Sequence, residues 1–230
     1  MMDGENDEIT VQLIGDGPAG GVTVTADSQG HAKGFVNNPH VDLPEKSPGH
    51  LDVGGAIGHG YLRVIKDMGL KEPYSGSINL VSGEVAEDFT YYFAESEQVP
   101  SSVGLGVLVD TDLSVRQSGG FIVQLMPNTD DAVIDKLSDN IAHIDSVTMM
   151  LEKGLTPEQM LEMVLDGFDI EFTDKKDVEF KCDCSREKFL AKIKTLSQQD
   201  KKDLAAPGEP IEVVCRFCGK KYTYTPEEIV

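Results

Sequence analysis

All four cysteines of this 230-residue chain fall in its last 49 residues, as Cys182-Asp183-Cys184 and Cys215-Arg216-Phe217-Cys218, two tight pairs with 30 residues between them. Four thiolates complete a tetrahedral shell for Zn²⁺, and two short pairs joined by a longer loop are how small structural zinc units deliver them. The second pair sits between the β-type runs Ile211-Glu212-Val213-Val214 and Lys221-Tyr222-Thr223-Tyr224. This is the setting of a zinc knuckle on a β-hairpin, with Gly219 supplying the positive-φ turn. Fewer than 50 residues with few large apolar groups, among them Phe189, Leu190, Ile193 and Phe217, can scarcely bury enough surface to fold unaided. Metal binding there is folding energy, and metal loss is expected to unfold the unit.

Two readings of the cysteines stay open on spacing alone: a purely structural zinc site and a redox-active dithiol. A pair of permanent disulfides does not suit a cytosolic chain. A Cys-x-Cys disulfide closes a very small ring, and a strained bond of that kind has an oxidising potential that suits a switch better than a brace. Zinc would keep the sulfurs as thiolates, the form that oxidants attack. Four protein ligands leave no open position for water, so hydrolytic zinc chemistry is not expected and the chain reads as no enzyme.

The formal charge of −20, from 20 basic against 40 acidic residues, argues against a nucleic-acid partner, which needs clustered Lys and Arg. The acidity is uneven. Residues 1–128 carry 18 acids and 6 bases, residues 129–181 carry 14 and 5, and residues 182–230 carry 8 and 9, which places a boundary near Lys181. No apolar run approaches the 18 or so residues of a membrane span, and the first ten residues are acidic rather than a basic-then-apolar secretion signal. A soluble, cytosolic protein is expected, and 40% hydrophobic content suffices for a core.

The first half predicts strands over residues 9–14, 21–26, 32–37, 61–66, 77–81 and 104–109, short β-type runs broken by Gly and Pro. Gly15-Asp16-Gly17-Pro18 and Asp27-Ser28-Gln29-Gly30 read as turns. Residues 85–96 put Val85, Phe89, Tyr92 and Phe93 on one helical face, so a helix is expected to lie on the sheet. From Asp130 the period becomes helical through Val133, Leu137, Ile141, Ile144 and Leu151, and Gly154 suits the stop. Thr156-Pro157-Glu158-Gln159 then forms a capping-box pattern opening a second helix through Phe168. The expected fold class is α+β, in three parts: an antiparallel-sheet domain with packed helices (1–128), an acidic helical linker (129–181) and a small zinc-binding domain (182–230). Like charges within one turn weaken helices that lack a firm docking surface, so the linker is a candidate for marginal stability.

Other signals are set aside. Residues 54–60, with four glycines, lack the ending of a phosphate-binding loop and read as a connection between strands. His40, His50 and His59 lie in Gly/Pro-rich segments without ligand spacing. Met149, Met150, Met160 and Met163, like Phe89, Tyr91, Tyr92 and Phe93, fit core packing more readily than an adaptable binding surface.

The chain resembles the bacterial thirty-three-kilodalton heat-shock chaperones, a redox-regulated family. The resemblance is carried by Phe180-Lys181-Cys182-Asp183-Cys184-Ser185-Arg186-Glu187 and Cys215-Arg216-Phe217-Cys218-Gly219. It continues through Pro73-Tyr74-Ser75-Gly76, Leu80-Val81-Ser82-Gly83-Glu84, Tyr91-Tyr92-Phe93, Gly104-Leu105-Gly106-Val107, Gly119-Gly120-Phe121 and Gln124-Leu125-Met126-Pro127, across essentially the whole chain. The resemblance implies a holding chaperone whose Cys182, Cys184, Cys215 and Cys218 bind one Zn²⁺ while reduced. Oxidation would pair Cys182 with Cys184 and Cys215 with Cys218, release the metal, and loosen a metastable linker. The implied partners are partly unfolded client proteins, and the oxidised form has room to be a homodimer. Members begin with several dozen further residues, so a fragment lacking part of its first sheet is expected. From the residues alone, two rivals remain: a thiol-disulfide oxidoreductase using Cys215 and Cys218, and a zinc-ribbon regulator binding nucleic acid through residues 182–230.

Overall fold

The computed structural model describes residue 2 and residues 4–229. Strands β1 (Glu8–Gly15), β2 (Val22–Asp27) and β3 (His31–Val36) pair antiparallel in succession. The turn after β2 is closed by the Asp27 carboxylate, which accepts the amides of Gln29 and His31 at 2.9 and 3.0 Å. Residues 54–60, expected to be plain loop, overlap the one-turn helix α1 (Val53–Ile57), because the Asp52 side chain caps the amide of Gly55. Strands β4 (Gly60–Asp67) and β5 (Tyr74–Asn79) complete the order β5-β4-β1-β2-β3. Strand β5 starts three residues before the predicted run. It also stops earlier, since the chain turns away where Oδ1 of fully buried Asp88 accepts the amides of Val81 and Ser82. Helix α2 (Val85–Glu95) lies on one face of this sheet. Its Tyr92 and Phe93 close a core with Leu13, Ile57, Leu62 and Val64, while Tyr91 faces solvent.

A hairpin of β6 (Ser101–Val109) and β7 (Val115–Gln124) follows. Strand β7 was not expected, since Arg116-Gln117-Ser118-Gly119-Gly120 has no β-type alternation; its pairing with β6 makes it a strand. The hairpin stands between two cores. Val103 packs with the α2 cluster, and Phe121 joins Leu137, Val147, Met150, Leu151, Met160 and Val164 from three helices. These are α3 (Asp131–His143), α4 (Val147–Glu152) and α5 (Pro157–Val164). A Cβ on Gly106 would meet the Val147 side chain and the Thr148 amide at 2.9 Å, so α4 crosses the hairpin in direct contact. The expected long first helix is two, because Ser146 caps the amide of Met149 and restarts the helix. The predicted capping box is present in both directions, but α5 ends at Val164 and the chain turns at Gly167 (φ +72°) before Phe168. Met150 and Met160 are core residues, whereas Met149 is exposed.

Beyond an irregular stretch, β8 (Glu179–Phe180) joins the free edge of β3 in parallel, as the sixth strand. Next come α6 (Arg186–Lys194), α7 (Gln198–Ala205), the antiparallel hairpin of β9 (Ile211–Val214) and β10 (Lys221–Tyr224), and α8 (Pro226–Ile229). Cys215, Tyr224 and Ile229 are the buried centre of this last unit. The architecture is α+β with antiparallel sheets, as predicted.

Candidate metal centre

Cys182 and Cys184 lie between β8 and the start of α6, where Ser185 caps the amide of Lys188. Cys215 and Cys218 lie in the turn joining β9 to β10. That turn closes because the Cys215 carbonyl accepts the Gly219 amide and its amide reaches the Lys220 carbonyl, both at 2.8 Å, with Gly219 at φ +71°. The four sulfurs converge: all lie within 4.8 Å of one another, with Cys182 Sγ 3.7 Å from Cys215 Sγ and Cys184 Sγ 3.4 Å from Cys218 Sγ. A tetrahedron with metal–sulfur bonds of about 2.3 Å has edges of about 3.8 Å. The donor set and its spacing therefore fit a tetrahedral thiolate metal site. Cys215 is buried and the other three are half-buried.

The thiols differ in acidity. Burial and the crowding of the other sulfurs push Cys182 up to about 12. Cys184 is brought down to about 7, chiefly by the Tyr222 hydroxyl. That oxygen is 3.2 Å from Cys184 Sγ and 3.0 Å from the Cys184 carbonyl, and the ring is held 5.4 Å from that of Phe189. A strand residue four positions after a cysteine carries no sequence signal for such a contact, and the cysteine motif alone does not reveal it.

The spacer residues of both pairs face the sheet. Asp183 pairs with Lys33 of β3 at 2.8 Å and with Lys188 of α6; these two ammonium groups hold its carboxyl well below the usual carboxylate range. Phe217 meets Phe35 of β3 edge to face at 5.1 Å, with the Lys33 ammonium 5.5 Å from its ring centroid. The Arg216 guanidinium sits 5.6 Å from the Phe35 ring centroid. The amide of Lys181 bonds to the Ala32 carbonyl at 3.0 Å, one residue before Cys182. The four-sulfur centre is thus tied directly to the edge of the main sheet.

His40, His50 and His59 are exposed and stand apart from the cysteines. The Cys215-Arg216-Phe217-Cys218 segment sits in a hairpin turn rather than at a helix N-terminus, which is not how a thioredoxin-like dithiol is activated. Several of the basic side chains of residues 182–230 are engaged in ion pairs, Arg186 with Glu228 and Lys221 with Glu212 among them. No helix among the described residues is long and apolar enough to cross a membrane.

An α+β body tied to a small unit whose four cysteine sulfurs converge defines a protein with a C-terminal cluster able to hold a metal ion. The pattern of the family described as Hsp33 protein matches residues 1–225, and the chain belongs to that family. It is 58% identical to the 33 kDa chaperonin of Agathobacter rectalis over 229 residues, covering all of this chain and 80% of that protein. It is 49% identical to the 33 kDa chaperonin of Lachnoclostridium phytofermentans, covering 78% of its length. The crystal structure of the 33 kDa chaperonin (heat shock protein 33 homolog) from Thermotoga maritima superposes with a TM-score of 0.87 at 38% identity, over 98% of this chain and 77% of that one. The family is one of chaperones, not of enzymes.

Proposed function

We propose that the chain is a cytoplasmic holding chaperone that binds partly unfolded proteins and is activated by oxidation of Cys182, Cys184, Cys215 and Cys218, which hold one Zn²⁺ while reduced. The observation that carries this reading is the convergence of four sulfurs within 4.8 Å on a unit whose spacer residues grip the β3 edge. Bound zinc would keep the four sulfurs as thiolates and supply the folding energy of a unit with a small core. In the resting chain Asp183 and Phe217 seat that unit on the sheet, and β8 covers part of the β3 edge.

Cys182 and Cys215 approach to 3.7 Å and Cys184 and Cys218 to 3.4 Å, across the two pairs, yet the disulfides proposed are Cys182–Cys184 and Cys215–Cys218. That pairing is the one the family resemblance implies, and it needs the unit to loosen so that each sulfur can turn from its partner across the centre to its sequence neighbour. Loss of the unit would free β8 and loosen the segment of residues 129–181, proposed to be a metastable linker between a client-binding part (1–128) and the switch (182–230). Apolar side chains already exposed on the β6–β7 hairpin, Leu105, Val107 and Ile122, would extend the client surface. The oxidised form is proposed to dimerise through the surface thus uncovered.

Light scattering of a thermally unfolding test protein decides the matter, with the chain added zinc-loaded and reduced or after peroxide treatment. Suppression of aggregation only after peroxide is expected. Equal suppression by Cys215→Ser and by reduced wild type would remove the redox switch, and suppression in no state would remove the chaperone reading.

A further inference from the structure

We propose that the Tyr222 hydroxyl restrains Cys184, so that peroxide oxidises the other half-buried sulfurs of the centre before it. The inference rests on the redox reading above and adds to it an order of reaction. Tyr222 stands on β10 with its oxygen within 3.2 Å of one sulfur only, that of Cys184, and within 3.0 Å of the same residue's carbonyl. A phenol has one proton to donate. While Cys184 carries a proton, the hydroxyl can serve the carbonyl; once Cys184 is a metal-bound thiolate, the charged sulfur is the stronger acceptor and takes it. No other side-chain hydroxyl among the described residues reaches a cysteine sulfur.

A donated hydrogen bond draws charge away from a thiolate and lowers its nucleophilicity. In the oxidation, a thiolate sulfur attacks peroxide, an S–O bond forms as the O–O bond breaks, and two electrons pass from sulfur to peroxide. One oxygen remains as sulfenic acid and the other leaves as hydroxide, which takes a proton from solvent. A second thiolate then attacks the sulfenic sulfur, the S–S bond forms, the S–O bond breaks and hydroxide departs. The Tyr222 bond slows the first step at Cys184 and leaves it available for the second. A sulfur whose charge is drawn into a hydrogen bond is the weaker nucleophile, so losing the bond is expected to speed attack at Cys184 by a few fold.

The test uses the full zinc-loaded chain, dilute hydrogen peroxide and a dione that captures sulfenic acids, with the labelled cysteine located by mass spectrometry and zinc release followed with a chromogenic chelator. Tyr222→Phe keeps the ring against Phe189 and removes only the oxygen. It is expected to raise the early share of label at Cys184 by a few fold. Tyr224→Phe is the control, since its hydroxyl bonds the Arg186 carbonyl at 2.8 Å and reaches no sulfur; its label distribution should match wild type. An unchanged distribution in Tyr222→Phe, or the same change in both variants, would overturn the proposal. Loss of zinc from Tyr222→Phe before oxidant is added would overturn it too, because the hydroxyl would then hold the shell together rather than set its reactivity. Absence of any label and any zinc release, in wild type as in the variants, would instead sink the redox reading and this inference with it.

Discussion

Glu97, just past α2, receives the Tyr92 hydroxyl at 2.5 Å and the Lys66 ammonium at 2.7 Å, joining the sheet to the helix above it. Burial alone would raise its carboxyl, but the bonds from Lys66 and Tyr92 outweigh burial and hold it below the usual range. A depressed carboxyl stabilises the fold above its unfolded pKa of about 4.3, and that contribution is lost as pH falls through the folded value. Glu97→Gln should therefore be less stable than wild type at pH 7 by about 1 kcal/mol, with the gap closing below about pH 4. A gap that stays constant across that range in calorimetry would show that the charge contributes nothing. At this scale the sequence was legible where chemistry is carried by residue type and spacing: the four cysteines converge, and Gly219 takes its positive φ. The Tyr222 contact and the grip of Asp183 and Phe217 on β3 were not legible, because they depend on which strands lie across from the cysteines.

Elements with their own local signals were read correctly. The capping box at Thr156 is one: its hydroxyl accepts the Gln159 amide at 3.3 Å and the Gln159 side chain accepts the Thr156 amide at 2.9 Å. Thr156→Ala should cost about 1 kcal/mol, read as a shift in urea midpoint without a change in slope. A change in slope instead would mean that α5 had ceased to unfold with the rest. Strand β7 escaped notice because its glycines and polar residues gain strand geometry only from β6, and the break between α3 and α4 was hidden by an apolar period that runs past Ser146. The helices of residues 129–181, whose acidic charge makes them look unsupported, bury their apolar faces with Phe121 of the β6–β7 hairpin, a docking surface visible only in three dimensions.

Across the whole molecule, the C-terminal unit and the main sheet share the β3 edge through an aromatic pair, an ion pair and the β8 backbone bonds. Removing the aromatic contact with Phe35→Ala should weaken that attachment while leaving the sulfur turn intact. Hydrogen exchange at the amides of Glu179 and Lys181, which bond to Gly30 and Ala32, is expected to accelerate up to about tenfold. The Cys215 and Gly219 amides should keep their protection; acceleration at all four sites alike would mean that the unit had unfolded rather than undocked. The same attachment carries a thermodynamic obligation. If emptying the four-sulfur centre loosens β8 from β3, linkage requires that anything prising β8 from β3 weaken the hold on the metal by the same factor. A foreign polypeptide laid along that edge would then be more than cargo: by displacing two residues of strand it would make the centre easier to empty, and its arrival would favour the state that receives it.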